Sequence, residues 1–188
     1  TAIRLQADDA EAHFNLGLVL GDKGDLDGAI AEYRTATRLQ PDALPPYVNV
    51  ALAYNALGQN DKAEASLRRA LSLDPTNSAA SLNLGMLLAE VGKMSDAEQA
   101  FRAAFKADPR SAQAAYNLGV LLSKEHPKEG LTWCGRAAEL RPENPQYGYT
   151  YAFYLYHAGQ LDEALKVLRA VRQRHPAHED SLLLERQL

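Results

Sequence analysis

The chain has one cysteine, one tryptophan and two methionines in 188 residues. A lone thiol, Cys134, excludes an intrachain disulfide and any metal site built from several cysteines. Long apolar runs are missing as well: no stretch approaches the about 20 residues that a membrane helix needs. No charged-then-apolar leader opens the sequence. Nor is there an excess of basic charge. Twenty Lys and Arg stand against 24 Asp and Glu, a formal charge of −4, and nucleic-acid binding calls for a basic stripe that this balance argues against. Signatures of catalysis are absent too: there is no phosphate-binding glycine loop, no nucleophile elbow and no paired-histidine metal motif. His13 and His157 are isolated, while His126, His175 and His178 fall in turns. The expectation is a protein with no catalytic residue, no metal, no cofactor, no nucleic-acid partner and no membrane span.

What the chain does have is a period. Pro41, Pro75, Pro109, Pro142 and Pro176 fall at steps of 34, 34, 33 and 34 residues, and other residue types move with them. Such regularity marks a stacked array of one structural unit. It predicts a single array with repeats over 9–42, 43–76, 77–110, 111–143 (one residue short) and 144–177. Residues 178–188 begin a sixth repeat or form a capping helix. Residues 1–8 read as the tail of a preceding repeat, because TAIRLQADDA matches TATRLQPDAL, which gives the chain the look of a piece cut from something longer.

The third copy shows what each unit contains. Ala80, Leu84, Leu87, Leu88 and Val91 lie at i, i+4, i+7, i+8 and i+11, the spacing of an amphipathic helix. After Gly92 a second series, Ala97, Phe101 and Ala104, runs until Asp108-Pro109 stops it. Small residues share one slot of the first helix (Gly17, Ala51, Gly85, Gly119, Ala152). Others share a slot of the second (Ala29, Ala63, Ala97, Gly130, Ala164), and small side chains let helices pack closely. Tyr33, Leu67, Phe101, Cys134 and Leu168 supply bulk between them, which makes Cys134 a core filler.

These slots, the turn glycines Gly24, Gly58, Gly92 and Gly159, and the closing prolines resemble the tetratricopeptide repeat family. The resemblance implies an all-α fold: a right-handed superhelical solenoid of stacked antiparallel helix pairs. It further implies that the first helices line a concave groove holding a peptide or protein segment. One departure is that His13, Tyr47, Ser81, Ala115 and Gly148 occupy a slot that often holds tryptophan.

Helical geometry identifies the face of each first helix opposite the core. The candidate peptide-binding residues there are Phe14, Asn15 and Leu18; Val48, Asn49 and Leu52; Leu82, Asn83 and Met86; Tyr116, Asn117 and Val120; and Tyr149, Phe153 and Tyr156. Asn15, Asn49, Asn83 and Asn117 form a column flanked by apolar residues, with Thr150 at its fifth position. Each amide offers donor and acceptor to an extended backbone, an arrangement similar to the asparagine ladder in the O-linked N-acetylglucosamine transferases. At about 0.5–1.5 kcal/mol per net hydrogen bond, four rungs bind weakly without apolar anchors. The competing reading is structural: the asparagines belong to the family pattern and their neighbours pack on adjacent helices. The first-helix column carries no Lys or Arg, so a carboxylate clamp is disfavoured. Arg34, Arg68, Arg102 and Arg169 recur on the second helices, where Glu64–Arg68 and Glu98–Arg102 have the i, i+4 spacing of surface pairs.

Two copies depart from the pattern. In the fourth, the turn glycine gives way to the His126-Pro127 region and the second helix carries Gly130 and Gly135, which predicts the least stable helix and a local change of stacking angle. In the fifth, an aromatic run places Tyr151 and Tyr154 toward the core and Tyr149, Phe153 and Tyr156 toward the groove, the best single anchor site. The function expected is a protein-interaction scaffold with a protein or peptide partner. Alternatives are the substrate-recruiting arm of a larger enzyme, a glycosyltransferase or a multi-haem redox protein, or a homo-oligomerisation module acting through the terminal helices.

Overall fold

Most first helices are preceded by a residue placed to start them. Asp9, Asn77, Ser111 and Asn144 stand in extended conformation and accept backbone N–H bonds from the first turn, as Asp9 does from Glu11 at 2.9 Å and Asn77 from Ala80 at 2.9 Å. These side chains satisfy donors that a helix start otherwise leaves orphaned. His178 serves the last helix in the same way, through its ring nitrogen to the Ser181 N–H. Ala43 interrupts this column of caps, having no side-chain acceptor. There Pro45 and Pro46 take over, since their φ is preset and they bring no N–H to satisfy.

The computed structural model describes residues 9–188, which form eleven helices and no strand. The expected tail of a preceding repeat at residues 1–8 lies outside the described residues. The chain divides into two compact units, Thr1–Ala107 and Asp108–Leu188. The first holds α1 (Ala10–Asp22), α2 (Leu26–Leu39), α3 (Leu44–Ala56), α4 (Asn60–Leu73), α5 (Ser78–Glu90) and α6 (Met94–Ala107). The second holds α7 (Ala112–Leu122), α8 (Pro127–Leu140), α9 (Pro145–His157), α10 (Leu161–Arg174) and α11 (Glu179–Gln187). Within each unit, odd-numbered helices pair with the even-numbered helix that follows, and the pairs stack. The fold class is that of a tetratricopeptide-like helical solenoid. No helix among the described residues is long and apolar enough to cross a membrane.

The turn inside a pair needs a left-handed residue, and Gly24, Gly58, Gly92 and Gly159 supply it with φ between +69° and +81°. The fourth pair has no such glycine. Its turn runs through Ser123–His126, where the His126 N–H donates to the Leu122 carbonyl at 2.8 Å, and Pro127 opens α8.

Close approach within pairs follows the volume at two facing slots. A Cβ added to Gly17 would stand 2.5 Å from the Tyr33 ring, and one added to Gly85 would stand 2.5 Å from the Phe101 ring. Where the second helix supplies leucine instead, as at Leu67 and Leu168, the facing slot holds Ala51 or Ala152, both buried. The fourth pair is tightest. A Cβ on Gly119 would meet Cys134 Sγ at 2.5 Å and the Cys134 backbone nitrogen at 2.8 Å, while one on Gly130 would meet the Gly119 carbonyl at 2.8 Å. Gly130 on α8 and Gly119 on α7 are therefore what lets the two backbones touch, and that contact offsets part of the entropic cost of Gly130. Cys134 is fully buried, and desolvation pushes its thiol up to about 12. Of the apolar series read in the third copy, Ala80, Leu84, Leu87 and Leu88 are buried; Val91 is 38% exposed because it caps α5 beside the Gly92 turn.

Candidate functional site

Charge is distributed unevenly between the two kinds of helix. No Lys or Arg occurs on α1, α3, α5, α7 or α9, and α3, α7 and α9 carry no Asp or Glu either. Most charged side chains sit on the second helices and in turns, and several on the second helices pair with one another. Arg68 reaches Glu64 at 2.8 Å and Arg102 reaches Glu98 at 2.8 Å. Arg34 and Arg38 flank a wider depression, about 540 Å³, lined among the described residues by α2 alone.

Against this background the outward face of the first helices is mostly apolar and has no Lys or Arg, with Glu11 beside Phe14 on α1. None of the candidate residues on it is buried: Asn15, Leu52 and Val120 are exposed and the others half-buried. In the first unit Phe14 lies 5.9 Å from the Tyr33 ring and lines a cleft of about 190 Å³ with Ala10, Glu11, Gln40, Ala43, Pro45 and Pro46. Val48, Asn49 and Leu52 follow on α3, and Leu82, Asn83 and Met86 on α5. The asparagines are not equivalent. Asn49 donates from Nδ2 to the Pro45 carbonyl at 2.9 Å, and Asn15 is open to solvent.

In the second unit a cleft of about 220 Å³ is lined by Tyr116, Val120, Tyr149, Thr150, Phe153 and Tyr154. Its walls are aromatic and braced from behind. Tyr116 stacks at 4.9 Å on Tyr147, Tyr149 at 5.8 Å on His178, and Phe153 edge-on at 4.4 Å on His157. Burial, with Asp180 nearby, raises the Tyr149 hydroxyl above its ordinary pKa, so it remains a proton donor. Asn117, beside Tyr116 on α7, has a buried Nδ2 with no hydrogen-bond partner. Thr150 is buried and its hydroxyl accepts from Gln146 Nε2 at 3.2 Å.

The placement differs from the sequence reading in two respects. Tyr154, expected toward the core, lines the cleft, one turn along α9 from Thr150. Tyr156 does not line the cleft. With Tyr149 and Phe153 it packs against the cluster of Ala152, Leu168 and Leu184, so these rings also hold α11 in place. Tyr151 does face inward, where Gly135 makes room for its ring. Tyr154 is the cleft residue that the sequence reading leaves off this face; Thr150 stands on it, at the fifth position of the asparagine column, without being counted among the candidate binding residues. Among the described residues no group of three or more His, Cys, Asp or Glu is placed to hold a metal ion.

Comparison with known proteins agrees with this architecture. Three tetratricopeptide repeat models match the sequence, over residues 10–43, 54–119 and 147–178. Together they span over two thirds of the chain. The unmatched stretch 120–146 contains the glycine-less turn and α8. No curated protein matches the sequence. Among solved structures, YrrB, a TPR protein with an unusual peptide-binding site, is similar with a TM-score of 0.75 at 21% identity, covering 98% of this chain and 96% of that one. MamA from Desulfovibrio magneticus RS-1 gives 0.77 at 21%, covering 90% and 96%. PilF of Pseudomonas aeruginosa gives 0.81 at 22%, covering 95% and 82%. With its paired helices, left-handed turn glycines and matched repeats, the chain belongs to the tetratricopeptide repeat family.

Proposed function

We propose that the protein is an interaction scaffold that binds a peptide or protein segment along the free faces of its first helices. One observation carries this reading: a face of Phe, Tyr, Leu, Val, Met and Asn residues runs along helices that have no Lys or Arg, and none of these residues is fully buried. Apolar surface kept out of the core and free of charge is what interaction sites present. Asn15, Asn49, Asn83 and Asn117 would grip the partner's backbone. Phe14, Leu18, Val48, Leu52, Leu82 and Met86 in the first unit, and Tyr116, Val120, Tyr149 and Phe153 in the second, would supply apolar anchors. The repeat family and the solved relatives support the scaffold role, and YrrB, which shares this fold, has a peptide-binding site.

The test is a selection from a random peptide library displayed on phage, followed by titration of the enriched peptides against wild type and Asn49→Ala/Asn83→Ala/Asn117→Ala. Loss of at least tenfold in affinity, with unchanged helical circular dichroism, is expected. Equal affinity in the two proteins would sink the asparagine role, and failure to enrich any peptide would sink the groove.

A further inference from the structure

We propose that the cleft between α7 and α9 is a proline-recognition site that seats prolyl rings of a partner's polyproline II segment between Tyr116, Tyr149, Phe153 and Tyr154. This rests on the scaffold reading and narrows it to one unit and one ligand class.

The cleft's size comes first. At about 220 Å³ it is below the roughly 300–1,000 Å³ typical of sites that enclose a small molecule. Its occupant is therefore a projecting part of a longer segment. The second argument is charge. None of the six lining residues is ionic, and neither α7 nor α9 carries Asp, Glu, Lys or Arg. An ion seated here would shed hydration and meet no ionic lining residue, and an anion would also be repelled by Asp180 near Tyr149. An uncharged occupant avoids that cost where it touches the cleft.

Hydrogen bonding then separates the remaining candidates. Among the described residues the hydroxyls of Tyr116, Tyr149 and Tyr154 have no protein hydrogen-bond partner. The unused groups of this face are thus able to donate. An α-helical occupant has already spent its backbone carbonyls internally. A polyproline II segment makes no internal hydrogen bonds, so its carbonyls are free. Proline also has no N–H, so it brings no donor that the cleft would leave unmet. Flat aromatic walls suit its rings, the complementarity by which proline-rich segments dock in aromatic-lined grooves. Rigidity agrees on both sides. The walls are braced by Tyr147, His157 and His178, and the ligand is stiff before it binds, so little freedom is lost on association.

The cleft of the first unit does not share these properties. It has one aromatic residue, Phe14, and carries the carboxylate of Glu11.

The experiment titrates decaproline into the full chain, following tyrosine ring resonances by NMR, with a glycine-serine peptide of equal length as control. Saturable binding with an affinity in the range of about 0.1–1 mM and shifts at Tyr116, Tyr149 and Tyr154 are expected. Val120→Glu places a carboxylate at an exposed position of the cleft without touching the core, and should weaken binding at least tenfold. Tyr149→Phe/Tyr154→Phe keeps both rings while removing two donors, and should weaken it several-fold with the fold intact. No saturable binding, equal binding of the glycine-serine peptide, or indifference to Val120→Glu would each overturn the proposal. If decaproline fails while the triple asparagine variant still loses its selected peptides, this inference falls alone; if both fail, the scaffold groove falls with it.

Discussion

Where Phe101 or Tyr33 fills the space between paired helices, the residue opposite has no side chain at all. That correlation makes a residue-scale prediction. Gly85→Ala drives a methyl group to within 2.5 Å of the Phe101 ring and should cost about 1–3 kcal/mol of stability through overpacking. Adding Phe101→Leu recreates the alanine–leucine combination found at Ala51 and Leu67, and should return most of the loss in urea unfolding. If the double variant is no more stable than the single one, volume matching is not the reason for the glycine. At Gly119 no such rescue is available, because the atoms in the way include the Cys134 backbone nitrogen and the Gly130 carbonyl, which cannot be trimmed.

Between elements, Glu64 joins two successive helix pairs. It sits on α4, where it pairs with Arg68, and also takes Lys93 from the turn before α6 at 2.7 Å. Hydrogen bonds from Lys93 and then Arg68 hold its carboxyl below the ordinary value of 4.5. A carboxylate with a lowered native pKa stabilises the fold above its unfolded pKa and loses that contribution as pH falls through the native one. Wild type should therefore be more stable than Glu64→Gln at pH 7, and the gap should shrink as pH drops below about 4.5; a gap constant from pH 7 to pH 3 would contradict this origin. Half of this arrangement was legible in the sequence. Spacing of four on one helix shows Glu64 and Arg68 as neighbours, as it does Glu98 and Arg102. Lys93 lies 29 residues away, and its approach depends on how one pair stacks on the next, which periodicity does not encode. The same reason explains Tyr154. Its helix was certain from the repeat register, but its choice between core and cleft is set by the neighbouring first helix. The paired helices, by contrast, were readable because turn glycines, small slots and prolines all recur in step.

At the scale of the molecule, charge is segregated by helix type. Net charge is only −4, and the ionic groups lie mostly on second helices and turns, whereas α3, α7 and α9 have none. Binding along the first helices should therefore be nearly insensitive to salt, since screening acts on charges that this face lacks. Affinity for a selected peptide should change less than about twofold between 50 and 500 mM salt; a steep decline would place the contact on the second-helix side, near the arginines. The matched volumes inside each pair have a different kind of consequence, one that concerns ancestry. A first helix carrying Gly17 or Gly85 joined to a second helix carrying Leu67 would leave a hole, and Ala51 set against Phe101 would collide. Single helices of this chain are therefore not interchangeable parts. Duplication or recombination that keeps the array foldable must copy the two helices of a pair together, so the smallest heritable module is the hairpin with its turn.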